Sequence, residues 1–171
     1  AGIGSVGGFW KNGSILYFTE RSPGNVIRFL NTSNNYIGTL AGQVGVSGNV
    51  DALGTLAKFG NPQKIWGDGT YLYICDYGNG SIRKMQLSNG NVTTLTTIAG
   101  GRPTGIWGDG VNLYVPDTFN VVIWKIVIAT GVASVFAGSG FPGSADGVGA
   151  AASFVSPIGV ASDGTYLYVF D

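Results

Sequence analysis

One pattern constrains this chain more than any other: a turn motif that recurs along its whole length. Gly67-Asp68-Gly69-Thr70-Tyr71-Leu72-Tyr73, Gly108-Asp109-Gly110-Val111-Asn112-Leu113-Tyr114 and Ser162-Asp163-Gly164-Thr165-Tyr166-Leu167-Tyr168 are three copies of one phrase. Lys11-Asn12-Gly13-Ser14-Ile15-Leu16-Tyr17 is a fourth, degenerate copy. The anchoring leucines Leu16, Leu72, Leu113 and Leu167 lie 56, 41 and 54 residues apart. The two longer spacings contain an insertion that repeats in its own right. Ala41-Gly42 runs through Asp51, Ala57 and Phe59 to Pro62, and Ala137-Gly138 runs through Asp146, Ala152 and Phe154 to Pro157. Asp51, Ala57, Phe59 and Pro62 each lie 95 residues from their counterparts and Ala41-Gly42 lies 96, so the register holds to within one residue, and the middle unit passes directly from Ala99-Gly100 to Pro103.

A basic unit of about 40 residues with four short strands has the period of a β-propeller blade. In the second unit, Pro62 to Trp66 reads as a first strand, closed by an Asp68-Gly69 hairpin turn. Tyr71 to Asp76 alternates as a second strand, and Tyr77-Gly78-Asn79-Gly80 turns into a third, Ser81 to Gln86. Asn89-Gly90 leads to a fourth, Val92 to Ile98. Every hairpin is local, so each unit is an antiparallel meander with two apolar faces, stable only when neighbours cover both. Glycine supplies 30 of the 171 residues, about 1 kcal/mol each against a helix interior, and no helix is expected. Hydrophobic content of 44% argues against disorder.

Composition narrows function by exclusion. Nine basic residues balance nine acidic ones, which removes the electrostatic footprint of a nucleic-acid binder. The chain has no histidine, so imidazole metal sites, Ser-His-Asp triads and histidine bases have no place in it. Its one cysteine, Cys75, lies in an alternating strand and reads as a small buried hydrophobe. The apolar stretch Val121 to Gly138 contains Lys125 and Gly131 and is rich in β-branched residues, so it reads as two strands and not a membrane insertion. Few charges with abundant Gly, Asn, Ser and Thr suit an extracellular or cell-surface protein. Sequons stand at Asn12, Asn31, Asn79 and Asn91.

The units resemble NHL repeats. Cys75-Asp76-Tyr77-Gly78-Asn79 with Ile82-Arg83-Lys84-Met85, and Pro116-Asp117-Thr118-Phe119-Asn120 with Ile123-Trp124-Lys125-Ile126, carry the resemblance. Thr19-Glu20, Asn25, Ile27-Arg28 and Thr39-Leu40-Ala41-Gly42 extend it into the first unit, and the insertions ending Ala-X-Phe-X-X-Pro fit it too. It implies an all-β fold, a β-propeller of four-stranded antiparallel blades that is incomplete in this chain. Blades are expected over 7–42, 60–100 and 101–138, a partial blade over 155–171, and Gly-rich inter-blade insertions over 43–59 and 139–154. Family propellers usually have about six blades. These residues are therefore expected to be a segment of a longer propeller, or to be completed by another chain. Ala1-Gly2 matches the Ala-Gly ending of the other units and is expected to follow an upstream blade.

Each candidate site has a structural reading beside its functional one. The once-per-blade acids Asp68, Asp109 and Asp163, and Asp76, Asp117 and Asp171, can hold Ca²⁺ in principle, but a residue repeated in every blade serves the blade: turn formation and backbone capping are the preferred roles. Asp51 and Asp146, in the insertions, are weak metal candidates, lacking the run of carboxylates that calcium loops use. Arg28, Arg83, Lys84 and Lys125 are read as ordinary solvated pairs on third strands. Trp10, Trp66 and Trp107 recur just before the turns, with Ala161 in the last copy. They form a possible binding face for sugars or peptides, against a reading as blade packing. Trp124 takes the Arg position of Ile-Arg-Lys and is allowed an outward orientation. Tyr17, Tyr73, Tyr114 and Tyr168 are read as blade packing.

The expected function is a non-catalytic scaffold or binding module for a protein, a glycan or copies of itself through open blade edges, with no cofactor and no nucleic acid. The alternative is a fragment of a propeller enzyme, lyase or lactonase-like hydrolase, whose metal site lies in blades outside these residues.

Overall fold

A computed structural model describes residues 2–171. Ala1, on which the upstream-blade expectation rests, lies outside the described residues. The chain is all-β. Fourteen strands form three four-stranded antiparallel sheets and one two-stranded sheet, each in plain sequence order. The first sheet holds β1 (Val6–Asn12), β2 (Ile15–Glu20), β3 (Val26–Asn31) and β4 (Tyr36–Ala41). The second holds β5 (Pro62–Gly67), β6 (Tyr71–Asp76), β7 (Ser81–Gln86) and β8 (Val92–Thr97). The third holds β9 (Trp107–Gly108), β10 (Asn112–Asp117), β11 (Val122–Val127) and β12 (Ala133–Ala137). The last is the hairpin β13 (Gly159–Ser162) and β14 (Leu167–Phe170). Single 3-10 turns at Gly54–Leu56, Tyr77–Asn79 and Gly149–Ala151 are the helical elements among the described residues.

The first strands lie side by side, β1 against β5, β5 against β9 and β9 against β13, so the sheets radiate from a common inner edge as propeller blades do. Glycine makes that approach possible. A Cβ on Gly7 would come within 2.5 Å of the Gln63 carbonyl oxygen, and one on Gly105 within 3.0 Å of the Gly159 Cα. The hairpin turn joining first and second strands falls one residue later than its motif suggests. The Asp68 N–H donates to the Tyr71 carbonyl at 3.2 Å, which makes Gly69 and Thr70 the central pair. Gly69 takes the left-handed backbone (φ +93°) that this position needs.

The core lies between blades, not within them, because strand alternation sends successive side chains to opposite faces. Leu72 and Ile74 of β6 face the first blade, in a cluster with Ile27, Ala41, Ala57, Phe59, Ile65, Met85 and Val92. Tyr73 and Cys75 of the same strand face the third blade, with Ile82, Ile98, Ile106, Leu113, Val115 and Ile126. The Cys75 thiol is fully buried and donates to the Gly105 carbonyl at 3.2 Å, and burial pushes its pKa up.

Leu72→Ala should therefore cost about 2–5 kcal/mol in urea unfolding. Val148→Ala, at a side chain that is 93% exposed, should change stability by no more than about 0.5 kcal/mol.

Candidate functional site

Two repeated arrangements engage the strand-end and turn acids, the arginines and the tryptophans singled out by the sequence, and a third feature, an apolar cleft at the inner edge, is left open. The first arrangement is a clamp. The acid ending each second strand receives the backbone N–H of the segment that leads into the same blade. Glu20 Oε1 accepts from Gly4 N–H at 2.9 Å, Asp76 Oδ1 from Gly60 at 2.6 Å, Asp117 Oδ1 from Arg102 at 2.9 Å, and Asp171 from Val155 and Ser156 at 2.6–3.0 Å. The acid's other oxygen meets a donor from the third residue of the third strand. Arg28 Nε reaches Glu20 at 2.8 Å, an Arg83 terminal nitrogen reaches Asp76 at 2.9 Å, and Trp124 Nε1 donates to Asp117 at 3.0 Å.

The environment of these donors corrects two expectations. Arg28 and Arg83 are not solvated surface charges: their side chains are 12% and 0% exposed. Trp124 is not turned outward; its indole spans from the second core cluster to the buried Asp117 carboxylate. Arg83 carries the most. Besides Asp76 it donates to the carbonyls of Lys58 and Val50, both at 3.0 Å, and to Asp51 at 2.6 Å, with its guanidinium 5.2 Å from the centre of the Phe59 ring. It thus pins the 43–59 insertion onto the second blade. Burial pushes the Asp76 carboxyl up, against the opposing pull of Asn79, the Gly60 N–H and Arg83. Asn79 Nδ2 donates to Asp76 and to the Gly48 carbonyl, both at 2.8 Å, so of the four sequon nitrogens this one is engaged inside the fold.

The weak metal candidates separate on the same ground. Asp51 is held by Arg83 and by the Thr94 N–H and hydroxyl at 2.9 and 3.0 Å. Asp146 is exposed in its insertion. Among the described residues no three Cys, Asp or Glu side chains gather as a metal site would require.

The second arrangement spaces the blades. Trp10, Trp66 and Trp107 each pair across the hairpin with Tyr17, Tyr73 and Tyr114, with ring centroids 5.7–5.9 Å apart. The next blade then offers a glycine. A Cβ on Gly67 would lie 2.8 Å from the Trp10 ring, and one on Gly108 2.6 Å from the Trp66 ring. Trp10 and Trp66 are thus half-buried spacers between blades; Trp107 is half-buried as well, but the next sheet has Ser162 where the others have glycine. The tyrosines of the Asp-Gly copies return to the turn: the hydroxyls of Tyr73, Tyr114 and Tyr168 donate to Asp68, Asp109 and Asp163 at 3.0, 3.3 and 2.7 Å. In each case Oδ1 of that aspartate accepts the N–H groups two and three residues on. Hydrogen bonds from the Tyr166 N–H, the Tyr168 hydroxyl and the Thr165 N–H hold the Asp163 carboxyl down at about 2. In Asp68 and Asp109 such bonds outweigh the upward push of burial.

The open feature is a cleft of about 410 Å³ where the inner edges of all four sheets converge. Phe9, Ile65, Ile106, Ile158 and Phe170 line it, with Lys64 as its one charged wall. Phe9 and Phe170 are 70% and 59% exposed there. No sequence motif marks these residues; the signal is the meeting of apolar side chains in or just ahead of the four first strands, joined by Phe170 of β14. The arrangement offers apolar contact and a single ammonium group.

No family model matches the chain, and no curated protein does. Solved structures do. A Bacteroides thetaiotaomicron protein of unknown function superposes with a TM-score of 0.75 at 20% identity, over 97% of this chain and 44% of its own. Hydrazine synthase of Kuenenia stuttgartiensis gives 0.69 at 17% identity, over 99% and 42%. A chain of a nidogen/laminin complex gives 0.65 at 15% identity, over 99% and 73%. These likenesses establish shared fold. The chain spans less than half the length of the first two.

Arg83→Gln should destabilise by about 3–5 kcal/mol, because it strands a buried carboxylate. At the turn, the depressed Asp163 contributes stability above the ordinary carboxylate pKa that is lost as pH falls through about 2. A carboxyl-carbon NMR titration should place the Asp163 midpoint there, and Tyr168→Phe should move it upward.

Proposed function

We propose that this chain is part of an NHL-type propeller that works as a non-catalytic binding scaffold, extracellular or on the cell surface, for a protein or glycan partner or for copies of itself. The observation that carries this reading is the division of labour among its residues. The repeated acids, arginines and tryptophans are spent on clamping and spacing blades, whereas the convergent inner edge presents exposed Phe9, Ile158 and Phe170 around Lys64. Apolar surface with one placed charge suits recognition, and exposed apolar side chains gathered in one place mark interaction sites. Two structures of similar fold support it by their own descriptions: the nidogen/laminin complex, and an auxiliary nutrient binding protein of Bacteroides thetaiotaomicron with a TM-score of 0.60 at 15% identity.

The test is a glycan-array and displayed-peptide screen of the labelled chain, with binders mapped by amide chemical shifts. Shifts should cluster on Phe9, Ile65, Ile106 and Ile158. The double variant Phe9→Ser, Phe170→Ser should weaken binding about tenfold while unfolding stability changes by no more than about 0.5 kcal/mol. Binding that is indifferent to both substitutions, or turnover of ester or lactone substrates by the purified chain, would contradict the proposal.

A further inference from the structure

The segments that form or lead into the four first strands differ at one position. The residue paired with the tyrosine of the second strand aligns them: Gly7-Gly8-Phe9-Trp10, Gln63-Lys64-Ile65-Trp66, Thr104-Gly105-Ile106-Trp107 and Ile158-Gly159-Val160-Ala161. Two residues ahead of the tryptophan, or of Ala161, stand Gly8, Lys64, Gly105 and Gly159. Glycine suits the close approach of the inner edges there. A Cβ on Gly105 would come within 3.0 Å of the Gly159 Cα, and one on Gly8 within 3.0 Å of the Lys64 Cα. Lys64 is the departure, so the recurrence that assigns the acids and tryptophans to the blades does not account for it. It stands in the second blade, with a four-stranded sheet on either side.

The surroundings of Lys64 are one-sided. Its stem runs past Gly8, where a Cβ would lie 2.7 Å from the Lys64 Cδ, and the residue is exposed while Ile65 beside it is buried. It is the one charged residue of the cleft, among Ile65, Gly105, Ile106, Gly159 and Val160. Among the described residues the ion pairs engage Arg28 and Arg83, and none engages Lys64. An ammonium among apolar walls, with no carboxylate of its own chain to meet it, attracts an anion more strongly than one in open water. The glycines beside it leave backbone that ligand atoms can approach closely.

We infer that the cleft captures the C-terminus of a partner polypeptide that ends on an apolar residue, with the terminal carboxylate on the Lys64 ammonium and the last side chain against the walls beside Ile65 and Ile106. One ammonium matches one carboxylate, whereas a phosphate group brings further charge that no second cation in the cleft meets. The openness of the cleft decides between a peptide end and a free fatty acid. Phe9 and Phe170 are 70% and 59% exposed at its mouth, so a long hydrocarbon stays in water, while one apolar residue next to its own carboxylate is covered. Capture of a terminal carboxylate is a recurring mode of peptide recognition. The inference deepens the scaffold reading by naming the ligand class, and rests on it in taking the cleft as the binding surface.

The probe is an acetylated Gly-Ser-Gly-Leu peptide, made with a free C-terminal carboxylate and, separately, as the C-terminal amide. In an amide chemical-shift titration the free acid should shift Gly8, Ile65, Gly105 and Ile106 and bind about tenfold more tightly than the amide, a preference that added salt reduces. Lys64→Met keeps the stem without the charge and should remove the preference; Lys64→Arg should retain it. Lys64 is exposed, and an otherwise unchanged spectrum verifies that both variants keep the fold. Hexanoate, run as a free organic acid, should bind more weakly than the peptide. Equal binding of acid and amide at the cleft overturns the inference and leaves the scaffold reading standing. A preference that survives Lys64→Met, hexanoate binding as tightly as the peptide, shifts confined to other surfaces, or no shift at about 10 mM peptide also overturns it. The scaffold reading falls separately, when the wider peptide and glycan screen yields no binder.

Discussion

The structure depends on a carboxylate placed at the end of the second strand of every blade. A carboxylate there satisfies the N–H groups of the segment that packs across the strand end, and where that donor is buried, as at Gly60, leaving it unpaired would cost about 1–3 kcal/mol. Glu20, Asp76, Asp117 and Asp171 do this for the segment leading into their own blade, 15 or 16 residues earlier in sequence. The acid thereby closes each blade on itself before its neighbour is considered. Where the blade has a third strand, an arginine or a tryptophan completes the acid's bonding, so one position tolerates a cation or a neutral donor as long as it delivers an N–H.

Everything else follows from stacking such closed units. Alternation in β6 sends Leu72 and Ile74 to one neighbour and Tyr73 and Cys75 to the other, so a blade without neighbours exposes apolar surface on both faces. Tryptophan and glycine then set the distance between blades, with Trp10 over Gly67 and Trp66 over Gly108. Glycine recurs at the inner edge for the same reason, and the cleft among Phe9, Ile65, Ile106 and Ile158 is what four such edges leave when they converge.

Much of this was legible in the residues themselves. The spacing of Leu16, Leu72, Leu113 and Leu167, with local turn chemistry, suffices for four-stranded antiparallel blades, because every strand pairing is between sequence neighbours. The role of the acids followed from recurrence, although their acceptance of the incoming segment ahead of the blade did not. Arg83 was misleading: a charged residue on an alternating strand reads as solvated, and its burial comes from Val50, Asp51 and Lys58, which lie 25–33 residues earlier in an insertion without strand pattern. Trp124 misled likewise, since only its register opposite Val115, equivalent to Arg83 opposite Ile74, shows it to be a hydrogen-bond donor to Asp117. The cleft had no signature because its walls come from all four sheets, from residues as far apart in sequence as Phe9 and Phe170.

Native-state hydrogen exchange of the clamped amides tests the account most directly. If the carboxylate clamp is integral to the cooperative unit, the Gly60 and Arg102 N–H groups exchange only through global unfolding, with the same free energy as the Leu72 amide at the centre of β6. Exchange of Gly60 and Arg102 at the rate of exposed loop amides such as Thr165, while Leu72 stays protected, would show that the clamp opens locally and that the blades hold together without it.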